Sequence, residues 1–187
     1  MPSSSYTTVL EPLLADVADL IGAHEDGRTG QRGRQWHLSG LNRSIVVITV
    51  SAWEAYVESV VSEVVDAIRP AAPPLDPWPA LKAHVDSSRG RFNTPNPDNV
   101  KKHVATIGVA NITTAWAWQA NSAAQVRQRL EDLVMLRHKI AHGVHPRPTV
   151  HHKYAVAAPA LVRKVAQCTD AAIKLDVQNR LGVTLAW

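Results

Sequence analysis

The sequence predicts an all-α fold: an antiparallel helical bundle with an irregular, proline-rich helical insertion. Three observations carry that expectation. Apolar residues recur at intervals of three and four over long stretches, the period of a helix with one buried face. Clusters of proline interrupt those stretches near 70–79, 95–97 and 146–148, where regular helix cannot continue. The chain has 187 residues, 45% of them hydrophobic, enough for one domain with a single core.

The elements follow in chain order. Residues 6–22 read as a first helix, with Leu10, Leu13, Leu14, Val17, Leu20 and Ile21 on one side. A Gly- and Arg-rich loop runs from Gly27 to Gly33. Residues 39–68 form the longest periodic segment, with Val46, Val50, Trp53, Val57, Val60, Val64 and Ile68 in one seam, widened by Leu41, Ile45 and Ile48. Within it, 45–50 is β-branched enough to suggest a strand. No turn residue interrupts the helical period on either side, so a helix is expected, and one apolar on most sides is a central one.

Pro70, Pro73, Pro74, Pro77 and Pro79 then break regular structure. Residues 69–120 read as an insertion that decorates one end of the bundle. Short helices are expected at 78–88 and 97–106, with Trp78, Trp116 and Trp118 pinning the segment down. Residues 121–142 form the next core helix, N-capped by Asn121 or Ser122. A final helix is expected over about 159–181, with Pro159 in its first turn and Leu161, Val165, Cys168, Ala172 and Leu175 as its seam. The whole chain is read as one domain.

The helix at 121–142 carries an anomaly. Val126, Leu130, Leu133, Arg137 and Ile140 recur at four, three, four and three, so Arg137 stands where a Leu would be expected. Arg is rarely buried without a partner, and an unpaired charge there costs several kcal/mol. Arg137 therefore faces a carboxylate, a subunit interface or a cleft that receives an anion. Snorkelling at the seam's edge is the plain alternative. His138 and His142 are four apart and share a face. Arg137 and His142 are five apart and diverge by about 140° on a regular helix. A helix end near His142, with Gly143 as C′ and Pro146 and Pro148 beyond, is one way to bring them together. A second copy of the chain across a two-fold axis is another.

Composition narrows the function classes. A formal charge of +4 permits a polyanionic partner without demanding one. Cys168 is the only cysteine, so an intrachain disulfide is excluded and a reducing, cytoplasmic setting is expected. The first residues have no basic and apolar leader pattern, and no apolar run approaches about 18 residues, so no membrane span is expected. A serine or cysteine triad has no support, because Cys168 lies in an apolar seam and no Gly-x-Ser-x-Gly occurs. His138 and His142 have the spacing of a helical zinc pair, with His145, His151 or His152 as a further ligand. The Glu that follows the first His in metalloprotease helices is replaced by Lys139, so neither metal nor cofactor is expected.

The segment Leu130-Glu-Asp-Leu133-Val-Met-Leu-Arg137-His138-Lys-Ile-Ala-His142-Gly143 resembles the motif of the HEPN superfamily: an Arg, a polar residue, and a His four to six residues on, often ending Ile-Ala-His-Gly. Trp53-Glu54-Ala55-Tyr56-Val57 resembles an early core helix of its nuclease-like branch. His138 stands where Asn is frequent. The resemblance covers the core helices and leaves out 69–120.

It implies a metal-independent endoribonuclease acting as a homodimer. The RNA 2′-hydroxyl attacks the adjacent phosphorus, leaving a 2′,3′-cyclic phosphate and a 5′-hydroxyl. The roles fit the residue types. Histidine is the side chain whose ordinary pKa lies near neutrality, which suits His142 to proton transfer. The planar fork of Arg137 suits a phosphate on which charge develops. His138 is the helper or second proton carrier. Lys139, Arg127 and Glu54 complete the candidate substrate-side set, Glu54 being also the natural partner for Arg137. Arg89, Arg91, Lys101, Lys102 and Arg129 extend a possible RNA path. A toxin or phage-defence role, with a cognate antitoxin or regulatory protein, is one expectation. A non-catalytic HEPN-like module that binds nucleotides or proteins is the other.

Overall fold

A computed structural model describes residues 1–28, 30, 38–70, 77–143, 145 and 148–187. Part of the 27–33 loop, and Pro73, Pro74 and Pro146, lie outside them. The helices are α1 (Glu11–Asp26), α2 (Ser39–Ala67), α3 (Trp78–Arg89), α4 (Pro97–Ala105), α5 (Ala123–Ala141) and α6 (His152–Leu181). A π-helical turn, Tyr6–Leu10, leads into α1, and a 3₁₀ turn, Ile112–Ala115, precedes α5. Among the described residues there is no strand, only an isolated bridge between Trp118 and Asn121. The chain is an all-α bundle.

The π turn has a local cause. Pro12 has no N–H to offer the preceding turn. The register loosens just before it, and the Glu11 N–H bonds back to the Tyr6 carbonyl.

α2 is the centre of the bundle and packs against α1, α5 and α6. It runs unbroken through 45–50, so helical periodicity prevails over β-branched composition there. Ile45, Val46, Val50, Trp53, Tyr56, Val57, Val60, Val61 and Val64 are all fully buried. By length and hydropathy alone, this helix would suffice to cross a bilayer, contrary to the sequence expectation. Its apolar surface is instead largely spent on α1, α5 and α6.

Two expectations for α6 need correction. It begins at His152, seven residues early, so Pro159 lies inside it. The lost hydrogen bond and the clash at Pro159 cost about 3 kcal/mol. Burial of Ala155, Ala158 and Val162 on the core side offsets that. The seam is also rotated. Val162, Val165, Ala166, Thr169, Asp170, Ile173 and Val177 face inward, while Leu175 is 60% exposed. The inward polar residues were the obscuring feature, and both are satisfied. Trp116 donates its indole N–H to Thr169 Oγ1 at 2.9 Å, and Tyr56 donates its hydroxyl to Asp170 at 2.6 Å. Asp170 also accepts the Ser3 N–H at 2.7 Å, which ties the N-terminal turn to α6.

The segment 69–120 forms the two short helices expected, but it does not merely decorate one end. Val85, Phe92, Val100, Val104, Ile107, Val109, Ile112 and Trp116 belong to the same apolar cluster as α2 and α5. Trp53 donates its indole N–H to the Pro95 carbonyl at 2.9 Å, and Trp78 donates to the Val65 carbonyl at 3.0 Å.

Candidate functional site

α5 is started sharply. Ser122 is its N-cap, accepting the Gln125 N–H, while the Gln125 side chain accepts the Ser122 N–H: a complete capping box. It is stopped as sharply. His142 is the C-cap and Gly143 takes a left-handed φ of 62°, a conformation glycine adopts without a Cβ penalty. Val126, Leu130, Leu133 and Val134 are buried along the inner face, three or more residues before Arg137.

Arg137 occupies the seam as expected, at its wet edge. Its guanidinium lies 3.6 Å from Glu54 Oε2 on α2, with the two side chains 25% and 18% exposed. That separation is an ion pair rather than a hydrogen bond. Among the described residues no hydrogen bond engages the guanidinium, and its Nε is buried without a partner. The charge is therefore balanced while the donors stay uncommitted. Glu54 is the answer to the question the seam posed. Burial pushes its carboxyl above the ordinary range, Arg137 opposes that, and Glu58 one turn along adds to it. Burial raises Glu58 as well, with Arg89 opposing. Arg89 reaches the same stripe and bonds Ser62 Oγ at 3.4 Å.

His138 and His142 stand together on the exposed side of the helix end, their rings 4.2 Å apart and tilted by 47°. Here the negative end of the helix dipole favours cations, and Lys139 is exposed beside them. Among the described residues no bond or ring contact joins Arg137 to His142 within one chain. Arg127 is exposed too, but lies ten residues back along α5, about 15 Å by helical rise. The structure thus brings together Arg137 with Glu54, and His138 with His142, and leaves Arg127 apart. Of the wider basic set, Arg129 bonds Asn121 and Arg91 bonds Ser87.

The zinc arrangement weighed from spacing does not take up His152. That residue lies against α1, its ring stacked on His24 at 3.9 Å and its Nε2 2.6 Å from Glu25. Sequence spacing gave no signal of this grouping.

Neither did it signal a part-buried Ser88–His103 pair, Oγ to Nδ1 at 2.9 Å, between α3 and α4. His103 stacks on Phe92, and burial followed by the charge of Arg89 lowers its pKa to about 4. A cavity of about 160 Å³ opens beside it, lined by Arg91, Asn99 and Lys102 among others.

Comparison with curated proteins and with solved structures gave no match. A family model does match: residues 13–174 fit that of the RiboL-PSP-HEPN domain, a span that contains α2, α5 and the whole Arg137–His142 motif. The chain belongs to this HEPN family.

Proposed function

We propose that the protein is a metal-independent, cytoplasmic endoribonuclease that acts as a homodimer. The HEPN assignment supports a nuclease- or RNA-related module in general terms. The observation that carries the finer reading is Arg137: a half-buried guanidinium whose charge is offset by Glu54 at 3.6 Å and whose donors are unspent. An anionic oxygen placed there would gain charge-assisted hydrogen bonds at no expense to an existing one.

In this reading the RNA 2′-oxygen forms a bond to phosphorus while the bond to the 5′-oxygen breaks. One imidazole accepts the 2′-hydroxyl proton and another donates a proton to the departing 5′-oxygen. His142 and His138 are the candidates, and Arg137 stabilises charge on the phosphoryl oxygens. Glu54 is a positioning residue that holds Arg137 in place. Lys139 and Arg127 hold flanking phosphates. A two-fold axis beside the end of α5 would set the Arg137 of one copy against the His142 of the other.

The test is cleavage of end-labelled RNA in EDTA by the purified protein, with analysis of product ends. Cyclic phosphate and 5′-hydroxyl ends are expected, and substrates lacking the 2′-hydroxyl should resist. A 3′-hydroxyl product ends the proposal. Growth arrest on expression, relieved by Arg137→Ala or His142→Ala, would support a toxin or defence role with a cognate neutralising protein. One observation favours a second reading, a non-catalytic module that binds nucleotides or proteins. Nothing among the described residues joins Arg137 to His142 within a single chain. A folded dimer that binds RNA without cutting it would select that reading.

A further inference from the structure

We infer that His24, Glu25 and His152 form a binding site for one divalent transition-metal ion, with Zn²⁺ the best fit, where the end of α1 meets the start of α6. Each offers a donor atom, and the three atoms lie within 4.8 Å of one another. None of the motif residues on α5 takes part, so the site is independent of the ribonuclease reading.

The hydrogen bonds around His152 make the argument. Asn42 donates its amide N–H to the Val150 carbonyl at 3.1 Å, which orients its amide and turns Oδ1 toward His152 Nδ1 at 3.3 Å. Oδ1 is an acceptor only, so Nδ1 carries the hydrogen. In a neutral imidazole, Nε2 is then a lone pair. Yet Nε2 faces Glu25 Oε1, another lone pair, at 2.6 Å. Two acceptors do not approach so closely without a cation to neutralise them: a proton shared along the line between them, or a metal off that line that both atoms ligate. The arrangement of an imidazole held through its far N–H, with its near nitrogen beside a carboxylate, is that of a ligand with its outer support already built. Glu25 is prepared in the same way. Arg28 holds its Oε2 at 2.9 Å and leaves Oε1 for the ion.

The second imidazole supplies a third donor. His24 is 5% exposed, and its ring lies parallel to that of His152, 3.9 Å away at an interplanar angle of 9°. Two imidazoles and one carboxylate suit Zn²⁺ and its neighbours rather than Mg²⁺ or Ca²⁺, which prefer all-oxygen sites. Donors in a tetrahedral zinc site are about 3.3 Å apart, given Zn–N near 2.0 Å. The present set departs from that spacing, with Nε2 and Oε1 at 2.6 Å and the two rings cofacial, so binding requires side-chain rotations that tilt both imidazoles toward one ion, and water completes the fourth position. The end of α1 also presents the negative pole of its dipole. A metal here fastens α1 to α6, two elements 126 positions apart at Asp26 and His152, and its binding energy adds to folding stability.

The experiment uses the full chain, stripped with chelator and exchanged into metal-free buffer. Zn²⁺ is titrated by calorimetry, bound metal is counted by mass spectrometry, and thermal unfolding is followed with and without the ion. One Zn²⁺ per chain and a raised Tm are expected, and Co²⁺ should give the intense visible bands of a four-coordinate site. His152→Gln and Glu25→Gln should each abolish the bands, Asn42→Ala should weaken binding about 10- to 100-fold, and His142→Ala should leave it intact. Absence of stoichiometric uptake by the wild-type chain overturns the inference. So does uptake that survives in His152→Gln but disappears in His142→Ala. Should His152→Gln fail to fold, the wild-type Co²⁺ spectrum and the Glu25→Gln titration decide.

Discussion

The guanidinium of Arg137 and the carboxylate of Glu54 face each other at 3.6 Å between α5 and α2, close enough to balance charge and too far to bind each other's hydrogens. The pair explains how an Arg is tolerated in an apolar seam while its donors stay available. On the proposed mechanism, Arg137→Ala should abolish RNA cleavage. Arg137→Lys keeps the charge but loses the fork, so cleavage should fall by on the order of 10²- to 10³-fold. Both variants should remain folded by circular dichroism, with losses of about 1 kcal/mol in urea unfolding, because the ion pair is partly wet.

Glu54→Gln separates support from chemistry. The carboxyl of Glu54 is raised by burial, so its ionisation opposes folding as pH climbs through its folded-state pKa. The wild type should therefore gain stability relative to Glu54→Gln on acidification through that range, and stability curves of the two at several pH values measure it. If Glu54 only positions Arg137, the variant's cleavage should fall without a shift in the shape of its pH profile.

His103 makes the opposite prediction. Its pKa is lowered from 6.5 to about 4, chiefly by burial. The unfolded chain thus binds a proton that the folded chain refuses between those values. This contribution to stability is present above pH 6.5 and is lost as pH falls toward 4, by on the order of 2–3 kcal/mol. His103→Gln should flatten the stability–pH slope in that window, as read from urea midpoints at pH 7, 5.5 and 4.5.

The capping box sets the start of the motif helix. Ser122→Ala should cost about 1 kcal/mol, measured by chemical denaturation. Ala at Gln125 removes the reciprocal bond and should cost less.

Tyr56 and Asp170 form the buried polar link between α2 and α6. Tyr56→Phe removes the hydroxyl from a carboxylate that burial already disfavours. About 1–3 kcal/mol of stability should be lost. Faster amide exchange at Ser3, whose N–H bonds the same carboxylate, would register the effect locally.

Local periodicity made much of this architecture legible, because it depends on residues three and four apart. The unbroken α2 through 45–50, the stop at Gly143, and the need of Arg137 for a counter-charge were all written along single helices. What was not legible depends on distant partners. The inward face of α6 was misread because Thr169 and Asp170 look like surface residues until Trp116, Tyr56 and Ser3 are brought to them. Pro159 reads locally as a helix start because the burial on either side of it comes from distant residues. The role of 69–120 in the core was hidden because its apolar residues are thinly spread among prolines. His24 and His152 have no spacing relationship at all, and only folding stacks them.

Trp53 and Glu54 are neighbours on α2 with different allegiances: the indole is fastened to Pro95 ahead of α4, and the carboxylate to the guanidinium on α5. A molecule that gripped the α3–α4 region and tugged at that carbonyl would thus pull on the rung directly beside the charge pair. We predict that this linkage acts as a lever, so that a shift at Pro95 alters the motif without any ligand touching it. Trp53→Phe would cut the lever while keeping an aromatic in the core. Any dependence of motif chemistry on the α3–α4 region should then weaken, as kinetics of paired variants on the two backgrounds would measure.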